Sequence, residues 1–394
     1  MLNNCSDIYE HRLKACQSSL LNGEIVAVIL SYSRDVYYYT RVSHPAILII
    51  KRDAFYLFIK RGWEAAGVEC AFTAEHLRQG NEIDVAKMLN SSPKGHPFVG
   101  LEMDAISAET YLLWTKLLPK YNFKNASPLI LRQRQTKDNY EIRLLRKACE
   151  IADIGHSRVT EVLRDGITER ELAIEIESSM RRAGDQGSSF FRKPNFFLSR
   201  VVLGSGPNLY NWTGIAYTIT GVGEGPFLPV GPSGRIISRG DLIIVDLGPS
   251  FNGYHADESR TYSVGNHTRY VISMFSALRD ISDAIISSAK AGVECRKLYN
   301  MAVKCAEKHN MGEFFLKLGT QNRAKLVGHG IGLEINEPPF LSAQSTSSLP
   351  PGAFLAIEVH ITHPAGVIKL EDDILVTDTG AELITKSPRR LIEV

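Results

Sequence analysis

No hydrophobic run in this sequence is long enough to span a membrane. The longest apolar stretches, such as AILII at 46–50, have the length of strands, whereas a bilayer helix needs about 20 apolar residues. No CxxC pair occurs among the six cysteines, Cys5, Cys16, Cys70, Cys149, Cys295 and Cys305. That excludes a zinc knuckle or a disulfide framework and fits the reduced thiols of a cytosolic protein. Charge of one sign is not in excess: 45 Lys and Arg stand against 43 Asp and Glu, a formal +2. No electrostatic case exists for a nucleic acid or an anionic membrane as partner. The amino terminus carries no apolar segment of signal-peptide length, so the expected location is the cytoplasm. With 44% apolar and 22% charged residues the composition is that of a globular protein. At roughly 150 residues per domain, a chain of this length is expected to form two or three domains.

Residues 24 to about 135 read as a small α/β unit. GEIVAVIL, PAILII and AFYLFI are β-branched and aromatic runs separated by polar breaks, as strands are. ISAETYLLWTKLLPKY carries apolar residues at helical spacing. Beyond Arg132 a long amphipathic helix is expected, with Ile142, Leu145, Ala148, Ile151 and Ala152 on one face. The domain boundary therefore falls in the polar stretch before it, dividing 1–133 from 134–394. The second part holds an internal echo. Gly166-Ile167 leads into a Thr168/Glu171 capping box and Leu172, and Gly292-Val293 leads into Glu294 and Leu298 at the same spacing.

Each half of this echo is followed by a hairpin carrying two acids. In DLIIVDLGPSFNGYHADESRTYSVG, Asn252-Gly253 signals a turn, and Asp246 and Asp257 are symmetric about Phe251 and Asn252. In AFLAIEVHITHPAGVIKLEDDILVT, Glu358 and Glu371 are symmetric about Pro364 and Ala365. Side chains opposed on one face of a hairpin lie about 4.5–5.5 Å apart, and like charges there repel. Either one acid of each pair points to solvent, or cations neutralise the site. His329 in LVGHGIGLEINEPP, flanked by glycines that allow close backbone approach, is the candidate imidazole. Four carboxylates and one imidazole suit two divalent ions of the manganese, cobalt, iron or zinc type, manganese foremost. Such a pair, about 3.5–4 Å apart, acidifies a water and polarises a carbonyl. The residues alone thus point to a dinuclear metallohydrolase.

VDLG at 245–248, GYHADESRT at 253–261, GHGIGLEINEPP at 328–339, AIEV at 356–359 and KLEDD at 369–373 together resemble a known metal-site signature. It is that of the "pita-bread" family of aminopeptidase P, prolidase, methionine aminopeptidase and creatinase. The resemblance spans nearly the whole chain. It implies an α/β fold with a creatinase-type amino-terminal domain and a catalytic domain built as a curved antiparallel sheet with two helix pairs related by a pseudo-twofold. The implied ligands are Asp246, Asp257, His329, Glu358 and Glu371, and the implied assembly is a homodimer. The implied reaction is Xaa-Pro hydrolysis of short peptides. The alternatives are a creatinase-like C–N hydrolase or lyase acting on a small amidine or cyclic amine, and a catalytically inactive binding module.

Departures concentrate around the metal set. A histidine expected after the SGPN of Ser205–Asn208 is absent: Asn211, Trp212 and Thr213 follow, and no histidine occurs from 157 to 254. A second expected histidine is Asn336, which can donate to an oxyanion but cannot carry a proton. An expected arginine is Lys369, which lacks the bidentate fork. Trp212 and Lys369 are therefore the candidate substrate contacts, and Glu358, Asn336 and His360 the candidate catalytic groups. His360 lies two residues beyond Glu358, and His255 two before Asp257, so alternation along a strand puts each on the metal side.

Overall fold

Ile25–Leu30, Ala46–Lys51 and Phe55–Ile59 occupy the apolar runs read as strands and pair as an antiparallel meander. Phe98–Leu101 joins Ile25–Leu30 in parallel, and Asn122–Asn125 and Leu77–Gln79 close the two edges of a six-stranded sheet. Ala27, Ile29, Ile47, Ile49, Phe58 and Val99 meet Trp114 of the Ala108–Leu117 helix in one core. The Cys5–Leu21 helix was missed, although its buried Tyr9, Leu13, Cys16 and Leu20 follow helical spacing. The computed structural model describes residues 5–90, 95–187, 189–193 and 196–394. It divides into Met1–Arg134 with Arg192–Pro194, and Gln135–Phe191 with Asn195–Val394. Among the described residues no helix is long and apolar enough to cross a membrane.

The second unit begins with the expected long helix, Asn139–Val162. Asp138 caps it by accepting from the amides of Tyr140 and Glu141, while Glu141 accepts from the Asp138 amide. The Thr168/Glu171 capping box opens the next helix, Glu169–Arg182. Arg269–Ser288 and Cys295–Lys308 form the second pair. The Gly-to-Leu echo has a structural counterpart in each half. The Gly166 amide donates to Ile237 and the Gly292 amide to Leu349. Thr168 bridges Ile236, and Glu294 bridges Ser348. Leu172 and Leu298 are both buried at the start of their helices.

The sheet against which both pairs pack runs in the order Glu337–Ser342, Leu326–Gly330, Phe354–His363, Gly366–Val376, Glu258–Ser263, Leu242–Leu247, Val201–Ser205, and every neighbour on that path is antiparallel. Alternation sorts its residues. Leu355, Ile357, Val359 and Ile361 pack with Ile368, Leu370 and Ile374 under the second helix pair. Ile243, Val245 and Leu247 pack under the first. Glu358, His360, Lys369, Glu371 and Asp246 consequently share the opposite face. The α/β architecture, with a six-stranded sheet in the first unit and an antiparallel sheet backed by two helix pairs in the second, is the one expected.

Candidate metal centre

The hairpin Phe354–His363/Gly366–Val376 has the register its symmetry about Pro364-Ala365 requires, with Glu358 opposite Glu371 and His360 opposite Lys369. The other hairpin corrects its expectation. Its turn is centred on Asn252 and Gly253, both at positive φ (47 and 81), as a two-residue hairpin turn demands. Tyr254 therefore pairs with Phe251, and Asp246 stands opposite Ser259, not Asp257. Asp257 lies two residues before Ser259 and so keeps the same face.

Ser259 also pairs with Glu371. A single row thus crosses four adjacent strands: Asp246, Ser259, Glu371, Glu358. Neighbouring strands are about 4.8 Å apart, which would hold Asp246 far from Glu358 on a flat sheet. Their carboxylate oxygens, with one from Glu371, nevertheless lie within 4.8 Å of one another. Curvature of the sheet folds the row inward. On the next strand His329 pairs with Ala356, which places its ring on that face, and its ligand nitrogen lies within the same limit of Asp257 and Glu371. The flanking glycines are sterically required: a Cβ on Gly328 would stand 2.6 Å from the Ala356 carbonyl oxygen, and one on Gly330 would stand 2.4 Å from that of Pro338.

Burial makes this cluster costly without cations. Burial raises the carboxyl of Asp257 well above its ordinary value, and Glu371 and Asp246 beside it push it further. Burial likewise pushes Glu371 well up, against the Lys369 ammonium, and raises Asp246. Glu358 goes the other way. Although burial opposes ionisation, Lys369 and His329, with hydrogen bonds from Lys369 and Thr218, hold it down at about 2. Both oxygens of Glu371, 1% exposed, lack a well-directed hydrogen bond. His329 Nδ1 lies 3.1 Å from the Gly330 carbonyl oxygen, which assigns the proton to Nδ1 and leaves the Nε2 lone pair facing Asp257 Oδ2 at 3.7 Å and Glu371 Oε1 at 3.9 Å. A lone pair aimed at two carboxylates is repulsive unless a cation lies between them. The donor set therefore fits divalent metal ions.

Beneath the cluster, Asp373 accepts from the Asp257 amide at 3.0 Å and from the Cys149 thiol at 3.3 Å. Burial pushes its carboxyl up to about 8.

Other sequence candidates fall elsewhere. Lys369 is 1% exposed and ion-paired among the acids, so it presents nothing to a substrate. His360 directs Nε2 at the Lys317 carbonyl oxygen, 3.2 Å away, and burial lowers it to about 4. His255 leaves the metal face because the strand breaks after it. Its Nδ1 lies 3.1 Å from the Gly332 carbonyl oxygen and its Nε2 accepts from the Phe190 amide. Trp212 donates its indole N–H to the Ala216 carbonyl at 2.7 Å and so secures its own loop. Asn336 is exposed, one residue before the buried Glu337–Lys137 ion pair.

Two residues were missed. Thr218, in the Gly- and Pro-rich loop after SGPN, donates to Glu358 Oε1. Glu169, fully buried, accepts from the amides and hydroxyls of Ser205 and Ser233 and from the Asn208 side chain. It fastens both ends of the loop that carries Thr218. The SGPN motif is the legible half of that latch; the loop has no periodicity to mark Thr218.

Residues 143–378 match the model of metallopeptidase family M24, and residues 12–136 that of the creatinase/prolidase amino-terminal domain. The chain is 29% identical over 394 residues to an Xaa-Pro dipeptidase of Pyrococcus horikoshii, covering 98% of this chain and 100% of that one. It is 30% identical over 272 residues to an Xaa-Pro dipeptidase of Pyrococcus furiosus, covering 68% of each. The solved prolidase of Pyrococcus horikoshii superposes with a TM-score of 0.80 at 26% identity, over 97% of this chain and 100% of that one.

Proposed function

This chain belongs to metallopeptidase family M24, and on that premise we propose that it is a metal-dependent hydrolase cleaving Xaa-Pro dipeptides. The observation that carries the reading is the buried row of carboxylates closed by His329, whose Nε2 lone pair faces Asp257 and Glu371. We assign Asp246, Asp257, His329, Glu358 and Glu371 as ligands of two divalent ions. Manganese is placed first because hard carboxylates outnumber the imidazole. The ions supply positive charge that polarises the scissile carbonyl and acidifies water.

The chain's own groups do the rest. Glu358, kept ionised by Lys369 and held by the Thr218 hydroxyl, is the proposed proton acceptor. The exposed Asn336 amide is the proposed donor to the developing oxyanion. His360 is assigned to orienting the Lys317 carbonyl, with the imidazole neutral. Trp212 is kept as an apolar substrate contact through its ring face. A second reading, C–N hydrolysis of a small amidine or cyclic amine, is favoured by one observation: Asn336 and the Asn211–Thr213 segment stand where family histidines are expected. We also propose a homodimer on the family resemblance. A cytoplasmic location is supported by free Cys16, Cys70, Cys149, Cys295 and Cys305.

The test is proline release from Xaa-Pro dipeptides by metal-stripped protein refilled with manganese or cobalt. Asp257→Ala should lose bound metal and at least about 1,000-fold in turnover, the several kcal/mol that metal charge contributes. Absence of proline release with either metal sinks the peptidase reading in favour of the amidine one. Full metal content and activity in Asp257→Ala sink the ligand assignment.

A further inference from the structure

The candidate ligands come from two halves of one sheet. Asp246 and Asp257 lie on the chain up to Ser263, while His329, Glu358 and Glu371 lie on strands after it. The halves meet where Glu258–Ser263 runs beside Gly366–Val376. Among the described residues these two strands pair at one row, Ser259 with Glu371, whereas Gly366–Val376 pairs with Phe354–His363 along its length. On either side of that row, side chains stand in for the ladder. The Asp257 amide donates to the Asp373 carboxylate at 3.0 Å. The Thr261 hydroxyl accepts from the Lys369 amide at 2.9 Å and donates to its carbonyl at 2.7 Å. So narrow a join has to withstand the mutual repulsion of the acids above it.

Arg260 closes the join from the opposite face. It is fully buried and follows Ser259, so alternation turns it toward the helices. Its Nη1 donates to the carbonyl oxygens of both residues of the bridging row, Ser259 and Glu371. Its Nη2 lies 2.7 Å from Glu258 Oε1 and donates to Asp372 Oδ1 at 2.7 Å. Segment 384–394 then holds Arg260 in place. The Ser387 carbonyl accepts from Arg260 Nε at 3.2 Å and Nη2 at 2.9 Å. Arg389 donates to the other Asp372 oxygen at 2.7 Å, and reaches Ser282 and Asp283 on the Arg269–Ser288 helix. Asp153, on the Asn139–Val162 helix, accepts from the amides of Lys386 and Ser387, each at 2.8 Å. One helix of each pair is thereby tied to the join. The segment also starts on one half and finishes on the other. Its Ile384 amide donates to the Asp373 carbonyl and its Val394 amide to the Ser263 carbonyl, both at 2.9 Å.

We propose that Arg260 is a positioning residue for the metal centre and that segment 384–394 is the brace that keeps it in place. Together they set the distance between the acids of the two halves, working from the buried side of the sheet. When the brace is loosened, the join is closed for only part of the time, and metal affinity falls by that fraction. This rests on the metallohydrolase reading and adds to it what fixes the spacing of the ligands.

The test is Arg389→Met, which cuts the brace from Asp372, Asp283 and Ser282 while leaving Arg260 and every candidate ligand unchanged. Hydrogen exchange of metal-stripped protein, read by mass spectrometry, follows peptides over 257–263 and 367–373. Equilibrium dialysis against manganese gives the affinity, and both measurements are made at a temperature where the variant is fully folded. Loss of the charged hydrogen bonds should speed exchange at the join about 10–100-fold and weaken manganese binding at least about tenfold. Exchange in Ile25–Leu30 and Ala46–Lys51 should stay at the wild-type rate. A segment with only a structural role would lower the melting temperature and leave the affinity of the folded protein unchanged. Manganese affinity within about twofold of wild type therefore overturns the proposal, as does unchanged exchange at the join. Should Arg389→Met not fold, Asp153→Ala frees the Lys386 and Ser387 amides from outside the sheet and is read the same way. Wild-type protein that binds no manganese refutes the hydrolase reading instead, and exchange at the join then decides by itself whether the brace exists.

Discussion

Glu169→Ala should loosen the loop that reaches the metal centre without touching a metal ligand. The Glu169 carboxylate accepts from the Ser205 amide at 2.7 Å, the Ser233 amide at 2.9 Å, both serine hydroxyls at 2.6 Å and Asn208 Nδ2 at 3.0 Å. Not every donor is stranded when it goes. The hydroxyls can rotate, and Asn208 retains the Ser233 hydroxyl at 3.1 Å. Two buried amides remain, each costing about 1–3 kcal/mol when unpaired, or roughly 2–6 kcal/mol together. At about 2–4 °C per kcal/mol for a unit of this size, the expected loss in Tm is about 4–24 °C. Glu169→Gln keeps one acceptor oxygen and should lose about half as much. Because Ser205 and Ser233 bracket the loop, turnover should fall with it while metal content stays at the wild-type level. Thermal denaturation, limited proteolysis within residues 211–231 and metal analysis on one preparation check all three. A Tm within about 2 °C of wild type for Glu169→Ala would mean that water or rearrangement satisfies both amides, and the latch would be refuted.

Thr218→Val removes one hydrogen bond to a buried carboxylate, worth about 1.5–3 kcal/mol. The expected drop in kcat is about 10–100-fold at unchanged metal stoichiometry, and wild-type kcat would show that the contact is idle. His156 is buried between Tyr262 and the Glu258 carbonyl, and burial lowers its pKa from 6.5 to about 3. Between those values the unfolded chain binds a proton that the folded one refuses. Stability through this group therefore falls as pH drops below 6.5 and recovers as pH rises, by about 1.4 kcal/mol per unit at most. Urea unfolding of wild type and His156→Gln at pH 7 and pH 4.5 should show wild type losing about 2–3 kcal/mol relative to the variant. Parallel pH profiles for the two proteins would refute the assignment of a neutral buried imidazole.

The two hairpins show why one acid pair was legible in full and the other only in part. Glu358 and Glu371 flank an unbroken ladder that closes at His363 and Gly366, so counting outward from the turn locates them. Between Asp246 and Asp257 the ladder is interrupted. Ser250–Phe251 and Tyr254–His255 form a separate two-stranded piece, and the main pairing resumes only at Glu258. A turn centre misplaced by one residue moved the partner of Asp246 by two, yet parity survived, and Asp257 stayed on the correct face. The same interruption defeated the alternation argument for His255. For His360 alternation put the ring on the metal face, but it could not show that the Lys317 carbonyl lies within hydrogen-bonding reach.

Residue identity and period-two alternation were sufficient to put Asp246, Asp257, Glu358, Glu371 and, through its glycine neighbours, His329 on the roster of candidate ligands. Side-chain parity depends only on the local chain. Convergence does not. Asp246 and Glu358 are separated by two intervening strands, and only the curvature imposed by packing two helix pairs beneath the sheet brings their oxygens within 4.8 Å together with Glu371. The same inward folding carried Lys369 from a presumed substrate contact to the centre of three acids. The reach of Thr218 to Glu358 and the clasp of Glu169 on Ser205 and Ser233 likewise join residues far apart in the chain, with no period to announce them. Their hydrogen bonds exist because the tertiary fold limits access of water there, so polar groups find their partners within the protein.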